Sequence, residues 1–266
     1  MSITGCRNDA LVKLLNGIGY QPVLLPRTGL TPPEMYVYKN EKLIRRGPLL
    51  DYLPPGSTIP ELERGTLDSI QHHQTDKKSL GVAASFLGDA LKCIGITSAP
   101  KLDLSFAKGH DITFSFDNVT YEALAPAKID HMLSSLDTGA IPPEDIKSGC
   151  LHIAYDYAFA GSLSMRAAGD SAASFNAKAI EIGTYIDLGA QGKVEATSET
   201  TISFAGKDGT IAAFAYKIGR LEKRGKKWFF FPEEESGENF LAAEQKKEPY
   251  LLERGVVLRV EEDQPA

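Results

Sequence analysis

From Leu151 to Ile218 side-chain character alternates with a period of two, and this alternation restricts the possible folds more than any other feature of the chain. Leu151, Ile153, Tyr155, Tyr157, Phe159 and Leu163 fall on one face of an extended segment, with His152, Ala154, Asp156, Ala158, Ala160 and Ser162 on the other. The run from Ile180 repeats the device, setting Ile180, Ile182, Ile186 and Leu188 opposite Glu181, Tyr185 and Asp187. Gly189, Gly192, Gly206 and Gly209 punctuate the turns. Strands with one greasy face and one face rich in Ala, Ser, Thr and Gly suit two structures. One is an antiparallel sheet with a core on one side and water on the other. The other is a membrane barrel wall, with lipid outside and water inside. Alternation alone does not separate them.

A chain of 266 residues buries a sizeable core as one large domain or two small ones. Its 42% hydrophobic and 24% charged residues are those of a soluble globular protein, and no apolar run approaches the roughly 20 residues of a spanning helix. The net charge of −6 argues against bulk nucleic-acid binding, which needs dense Lys and Arg. Cys6, Cys93 and Cys150 have neither zinc-site spacing nor the density of a disulfide scaffold, which favours a reducing cytoplasm. Arg7, Asn8 and Asp9 interrupt the N-terminus before a signal-peptide core can form, so export is not expected.

Ala10, Leu11, Leu14, Leu15 and Ile18 recur at helical spacing behind the capping types Asn8 and Asp9. Four prolines make Gln21 to Tyr38 extended and loop-like before a strand around Met35 to Tyr38, and Lys42, Arg45 and Arg46 read as a basic turn. Gly47 to Ser57 is a hydrophobic knot closed by Pro54-Pro55-Gly56. Thr66 to Ile70 and Leu80 to Ile94 read as helical. Leu102, Leu104 and Phe106, then Ile112, Phe114 and Phe116, alternate as two strands across Lys108-Gly109-His110-Asp111. Ile129 to Leu136 makes a further helix that Pro142-Pro143 ends. These elements add up to an α+β fold, a twisted antiparallel β-sheet with peripheral helices.

Enzyme signatures are missing. His72, His73, His110, His131 and His152 contain no pair in zinc-protease spacing, and no Gly-rich loop ends in Lys-Ser or Lys-Thr. Gly169-Asp170-Ser171 lacks the second glycine of a nucleophile elbow, so Ser171 reads as a turn residue.

Three stretches resemble the gasdermin pore-forming domain. The opening "ALVKLLN" followed downstream by "LLDYLPPGS" is one; "VTYEALAPAKIDHML" at 119–133 is a second; "IAAFAYKIGRLEKRGKKWFFFP" at 211–232 is the third. They keep the family's order and divide the chain into a pore-forming domain, 1–232, and a linker with a C-terminal peptide, 233–266. About 30 residues are too few for an independent repressor domain, as in the short bacterial gasdermins. The resemblance implies a gasdermin N-domain-like fold without enzymatic activity. It implies a cytoplasmic monomer held off by its C-terminal peptide, which a caspase-like or trypsin-like protease activates. It then implies a homo-oligomeric β-barrel pore in the inner membrane that kills the host cell in antiphage defence. No cofactor is implied beyond covalent palmitate on Cys6. The membrane-inserting hairpins would carry Leu102, Leu104, Phe106, Ile112, Phe114, Phe116, Ile180, Ile182 and Ile186.

Arg220, Lys223, Arg224, Lys226 and Lys227 abut Trp228-Phe229-Phe230-Phe231, a combination that suits anionic lipid headgroups and equally suits a solvated hairpin turn before a core strand. Tyr250, Leu251 and Leu252, then Val256, Val257 and Leu258, form two apolar patches on the tail, as an inhibitory peptide seated in a groove requires. Lys246, Lys247 and Arg254 are candidate cleavage points. The rival reading is a soluble lipid- or partner-binding module that never inserts. For Cys6, nearby Arg7 and Lys13 favour the thiolate that performs acyl chemistry. Intact mass is expected to show an acyl adduct on the wild-type protein from a native-like host and none on Cys6→Ala. An unmodified wild-type mass contradicts the assignment.

Overall fold

The computed structural model describes residues 15, 17–39, 42–67, 72–74, 111–148, 151–168, 184–187, 190–198, 201–206, 209–225, 227–233 and 260–262. The first strands are β1 (Gln21–Arg27), β2 (Glu34–Lys39), β3 (Lys42–Pro48), β4 (Glu63–Thr66) and β5 (His72–Gln74). They are followed by β6 (Asp111–Asp117) and β7 (Thr120–Ala123), then the helices α1 (Pro126–Leu133) and α2 (Pro143–Ser148). The remaining strands are β8 (Leu151–Ala160), β9 (Ser162–Ala168), β10 (Thr184–Asp187), β11 (Ala190–Ser198), β12 (Thr201–Gly206), β13 (Ala212–Arg224), β14 (Lys227–Pro232) and β15 (Val260–Glu262).

Among the described residues these strands form two sheets. The larger runs β1-β13-β8-β2-β3-β15, with β14 also on β13 and the β4–β7 pair on β8; the smaller runs β10-β11-β12-β9-β6-β5. Four stretches of chain pass from one sheet into the other: β4 to β5, β6 to β7, β8 to β9 and β12 to β13. The interruptions of the last three line up. Asp117 pairs with Ser162, which pairs with Ala205, so Asn118, Gly161 and Gly206 lie side by side along one crease. Asn118 takes a left-handed φ of 52°, and the N–H of Gly161 donates to the Asp117 carbonyl at 2.8 Å. At Gly206 a Cβ would stand 1.7 Å from the Thr210 carbonyl oxygen, so glycine alone fits the bend.

The alternation in 151–163 is real, but its single face is not. β8 is buried along both sides because it is central in the large sheet, between β13 and the strands β2 and β7. The register with β13 slips between Lys217 and Ile218, which pair with Asp156 and Ala154, leaving Tyr155 as the extra residue of a bulge. The bulge turns the strand over. Leu151, Ile153 and Tyr155 pack with Met35, Leu49, Leu133, Trp228 and Phe230, whereas Tyr157 and Phe159 join Val23, Tyr36, Leu43 and Tyr216 in a second core. Leu163 belongs to the other sheet altogether.

Other local readings are corrected by sheet context. Gln21–Arg27 is a strand despite Pro22 and Pro26, because β1 is an edge strand and the missing donors cost no ladder bond there. Lys42, Arg45 and Arg46 sit in β3 rather than a turn, paired with β2 on one side. Thr66 ends the strand β4 instead of starting a helix, its place fixed by pairing with Thr120. Pro143 opens α2, as a proline at a first helical turn does, rather than merely ending the helix before it. That earlier helix starts at Pro126 and buries Ile129, Met132 and Leu133 at helical spacing. The expected helix at 80–94, the strand at 102–106, Cys6, Cys93, Cys150 and Ser171 lie outside the described residues.

The β13–β14 hairpin closes over the first core, where a Cβ on Gly219 would meet the Phe230 ring at 2.4 Å and the Phe231 carbonyl oxygen at 2.6 Å. Gly219→Ala should therefore destabilise the fold by about 1–3 kcal/mol through overpacking. A lower urea midpoint with an unchanged slope is the expected result, and an unchanged midpoint contradicts it.

Candidate membrane surface and tail-docking edge

The smaller sheet is amphipathic in register. Val194 pairs with Phe204, Phe204 with Leu163, and Leu163 with Phe116, so four strands contribute one apolar row. All four side chains are buried. The next row of the same face is Ala196, Ile202, Met165 and Phe114, and Ile112 follows opposite Ala167. The alternate rows are polar: Glu195, Ser203, Ser164 and Ser115 pair in line, as do Thr201, Arg166 and Thr113. Ser164 Oγ donates to Ser203 Oγ at 3.1 Å, and Lys193 pairs with Glu195 along the exposed rim. One side of this sheet carries apolar rows and the other polar rows.

Of the residues expected in inserting hairpins, Ile112, Phe114 and Phe116 occupy β6 at positions of the apolar rows. Ile186 pairs with Gln191, which by its two-residue spacing shares the face of Lys193 and Glu195 rather than that of Val194. Leu102, Leu104, Phe106, Ile180 and Ile182 lie outside the described residues. Leu163 was read from sequence on the greasy face of the run from Leu151, whereas Val194, Ile202 and Phe204 were not named, although "TISFAG" alternates with the required period.

The basic hairpin divides into core and surface. Trp228 and Phe230 point inward and are buried, while Phe229 is exposed. Arg224 stands over Phe231 with 4.8 Å from its Cζ to the ring centroid, and it pairs with Glu222, as does Arg220. Lys223 and Lys227 stay at the tip, where with Asp130, Ser134 and Trp228 they line a surface groove of about 630 Å³ beside α1. Asp130 holds the outer edge of β14 by accepting the Phe230 N–H at 2.9 Å. Lys226 is outside the described residues.

The tail reaches back to the opposite edge of the large sheet. Val260, Glu261 and Glu262 pair in parallel with Leu43, Ile44 and Arg45, adding β15 to the free side of β3. A buried polar cluster beneath this edge escaped the sequence reading, since one glutamate before "MYVY" gives no signal. Glu34 accepts from Tyr36 Oη at 2.9 Å, Tyr157 Oη at 3.0 Å and Arg45 Nε at 3.0 Å. The Oη atoms of Tyr36 and Tyr157 stand 2.8 Å apart beside it, and burial, reinforced by the charge of Glu34, pushes both phenols well above their ordinary range. The cluster welds β3 to β2 and β8, so the strand that receives the tail is held firmly. Residues Tyr250, Leu251, Leu252, Val256, Val257, Leu258, Lys246, Lys247 and Arg254 fall outside the described residues.

Among the described residues no cluster of His, Cys, Asp and Glu could hold a metal ion, and no helix is long and apolar enough to cross a membrane. The latter leaves strands untouched as a route through lipid.

Comparison with known proteins agrees with this geometry. The model of the Bacterial Gasdermin Family matches residues 23–237. A gasdermin bGSDM of Piscinibacter sakaiensis is 47% identical over 260 residues, covering 97% of each chain. Another, from Vitiosangium sp. (strain GDMCC 1.1324), is 22% identical over 231 residues, 81% of this chain and 83% of its own. In three dimensions a bacterial gasdermin from Bradyrhizobium tropiciagri superposes with a TM-score of 0.54 over 94% of this chain and 95% of that one, at 12% identity, a likeness of fold. The chain therefore belongs to the bacterial gasdermins, a family of pore-forming proteins rather than enzymes.

Proposed function

We propose that this protein is a latent pore-former, autoinhibited by residues 233–266 and released by proteolysis to assemble into a β-barrel that kills the host cell during phage attack. The observation that carries the reading is the register of the smaller sheet, whose rows alternate between apolar and polar across four strands. In the monomer Val194, Phe204, Leu163, Phe116 and Ile202 of the apolar rows are buried; in a barrel these rows would face lipid while the Ser and Thr rows face the lumen. Many protomers must join, because strand backbone in hydrocarbon is satisfied only in a closed barrel.

The tail supports the inhibitory half of the reading. Its last described residues occupy the free edge of β3 by main-chain pairing, which blocks that edge to any other strand. A trypsin-like cut at Lys246, Lys247 or Arg254 would sever the covalent tether of β15, whose described pairing with β3 spans three residues, a short hold for a strand no longer joined to the domain. Palmitate on Cys6 would add reversible membrane affinity at ~0.8 kcal/mol per buried methylene, assisting assembly. Lys223, Lys226 and Lys227 would meet anionic headgroups, with Phe229 at the interface. The monomer is cytoplasmic and the pore lies in the inner membrane.

Dye-loaded anionic liposomes test this directly: tail-cleaved protein is expected to leak them and intact protein to leave them sealed. A cleaved protein that stays monomeric and releases no dye supports the soluble binding module instead. The faces are separable as well. With both variants first shown to fold, cleaved Ile202→Lys should lose leakage, since Lys at the midplane costs ~2–4 kcal/mol per protomer, while Glu195→Lys should keep it. Equal leakage by the two removes Ile202 from the lipid face.

A further inference from the structure

The groove between α1 and the β13–β14 turn has two walls of opposite chemistry. Lys223, Lys227 and Trp228 of the hairpin form one; Asp130 in the last turn of α1, with Ser134 and Thr138 beyond it, forms the other. The hairpin wall donates. Trp228 is 8% exposed, and its indole N–H, sequestered from solvent, meets no acceptor among the described residues. Lys223 Nζ stands 5.6 Å from the centre of the Trp228 ring, which brings a positive charge to the same end of the groove.

The helix wall accepts. Asp130 Oδ1 takes the Phe230 N–H at 2.9 Å, and the second carboxylate oxygen is a further acceptor. Ser134 Oγ spends its proton on the His131 carbonyl at 2.6 Å, so it offers only lone pairs to anything else. The C-terminal end of α1 adds the partial negative charge of its carbonyls. The rings bordering the groove already carry cations, Lys223 at Trp228 and Arg224 at 5.8 Å from the Phe229 ring centre, which argues against an aromatic cage for a quaternary ammonium.

We propose that this groove binds a zwitterionic phosphate ester carrying a primary ammonium, the chemistry of a phosphoethanolamine headgroup. The phosphate oxygens lie against Lys223, Lys227 and the Trp228 N–H, which gains the acceptor it lacks, and the ammonium lies against Asp130 and Ser134. A phosphate without the ammonium would meet the Asp130 carboxylate uncompensated, and a bare amine would leave the indole N–H unmet. The volume of about 630 Å³ is that of a small-molecule site. Leu133, Leu136 and the exposed Phe229 suit the glycerol and first methylenes of a lipid, while soluble phosphoethanolamine presents the same polar groups. The site deepens the membrane contact proposed for the basic hairpin and rests on that reading for its use; its existence is tested in the intact monomer.

Trp228 is the single tryptophan of the chain, so its emission reports on the groove directly. Intact full-length protein is titrated with phosphoethanolamine, phosphocholine, inorganic phosphate and ethanolamine. A parallel titration uses phosphatidylcholine vesicles with and without phosphatidylethanolamine. A saturable change is expected with the phosphoethanolamine group, about tenfold tighter than without its ammonium or its phosphate, as one charge-assisted hydrogen bond supplies. The double variant Lys223→Gln, Lys227→Gln should lose the change. Asp130→Asn keeps an acceptor for the Phe230 N–H and should bind phosphoethanolamine no better than inorganic phosphate; urea midpoints establish that both variants fold. A response to phosphatidylethanolamine vesicles alone assigns the site to the bilayer lipid, and a response to the soluble headgroup as well assigns it to the headgroup itself. No response in either format, equal binding of the choline compounds, or unaltered titrations in both variants overturns the proposal. A response from protein that leaks no liposomes after tail cleavage keeps the site and removes the pore, and leakage without a response does the reverse.

Discussion

The apolar row through Phe116, Leu163, Phe204 and Val194 must be kept from water, and the rest of the architecture answers to that demand. Each such side chain is worth about 1.5–3 kcal/mol when covered, so an uncovered sheet face would draw in lipid or another copy of the chain. Phe116 is met by Phe214 at 4.5 Å between ring centroids, across the crease from the larger sheet. The bend therefore has a physical purpose in the monomer: it folds one sheet's apolar rows towards a residue of the other. Straightening the four shared strands would undo that cover while keeping every strand's alternation.

Edges are managed with equal care. β14 is closed along its outer side by Asp130 and ends in Pro232, which has no N–H to offer. β3 is closed by β15, which comes from the far end of the sequence. The first cap lies in α1 and the second comes from the C-terminal segment, so the cleavage proposed for that segment would open one edge and leave the other shut. The Glu34 cluster keeps β3 in place with or without its partner, because its bonds run to β2 and β8.

Much of this was legible in the residues. Period-two alternation located the strands from Leu151 onward and the α+β class, and the stretches at 119–133 and 211–232 carried the family. What escaped had nonlocal causes. The bulge at Tyr155 is created by the register of β8 against β13, so a strict alternation placed Tyr157 and Phe159 in the wrong core. Prolines at 22 and 26 argue against a strand until β1 is known to be an edge. Arg45 looked like a turn cation because its partner Glu34 sits across a hairpin.

The central claim is that the face alternation of the smaller sheet survives from monomer to membrane. An environment-sensitive fluorophore attached to single cysteines at each position from Thr201 to Ala205, read on liposomes after tail removal, tests it most directly. The account predicts a two-residue alternation, with apolar emission at positions 202 and 204 and aqueous emission at 201, 203 and 205. Uniformly aqueous emission along the strand would contradict it.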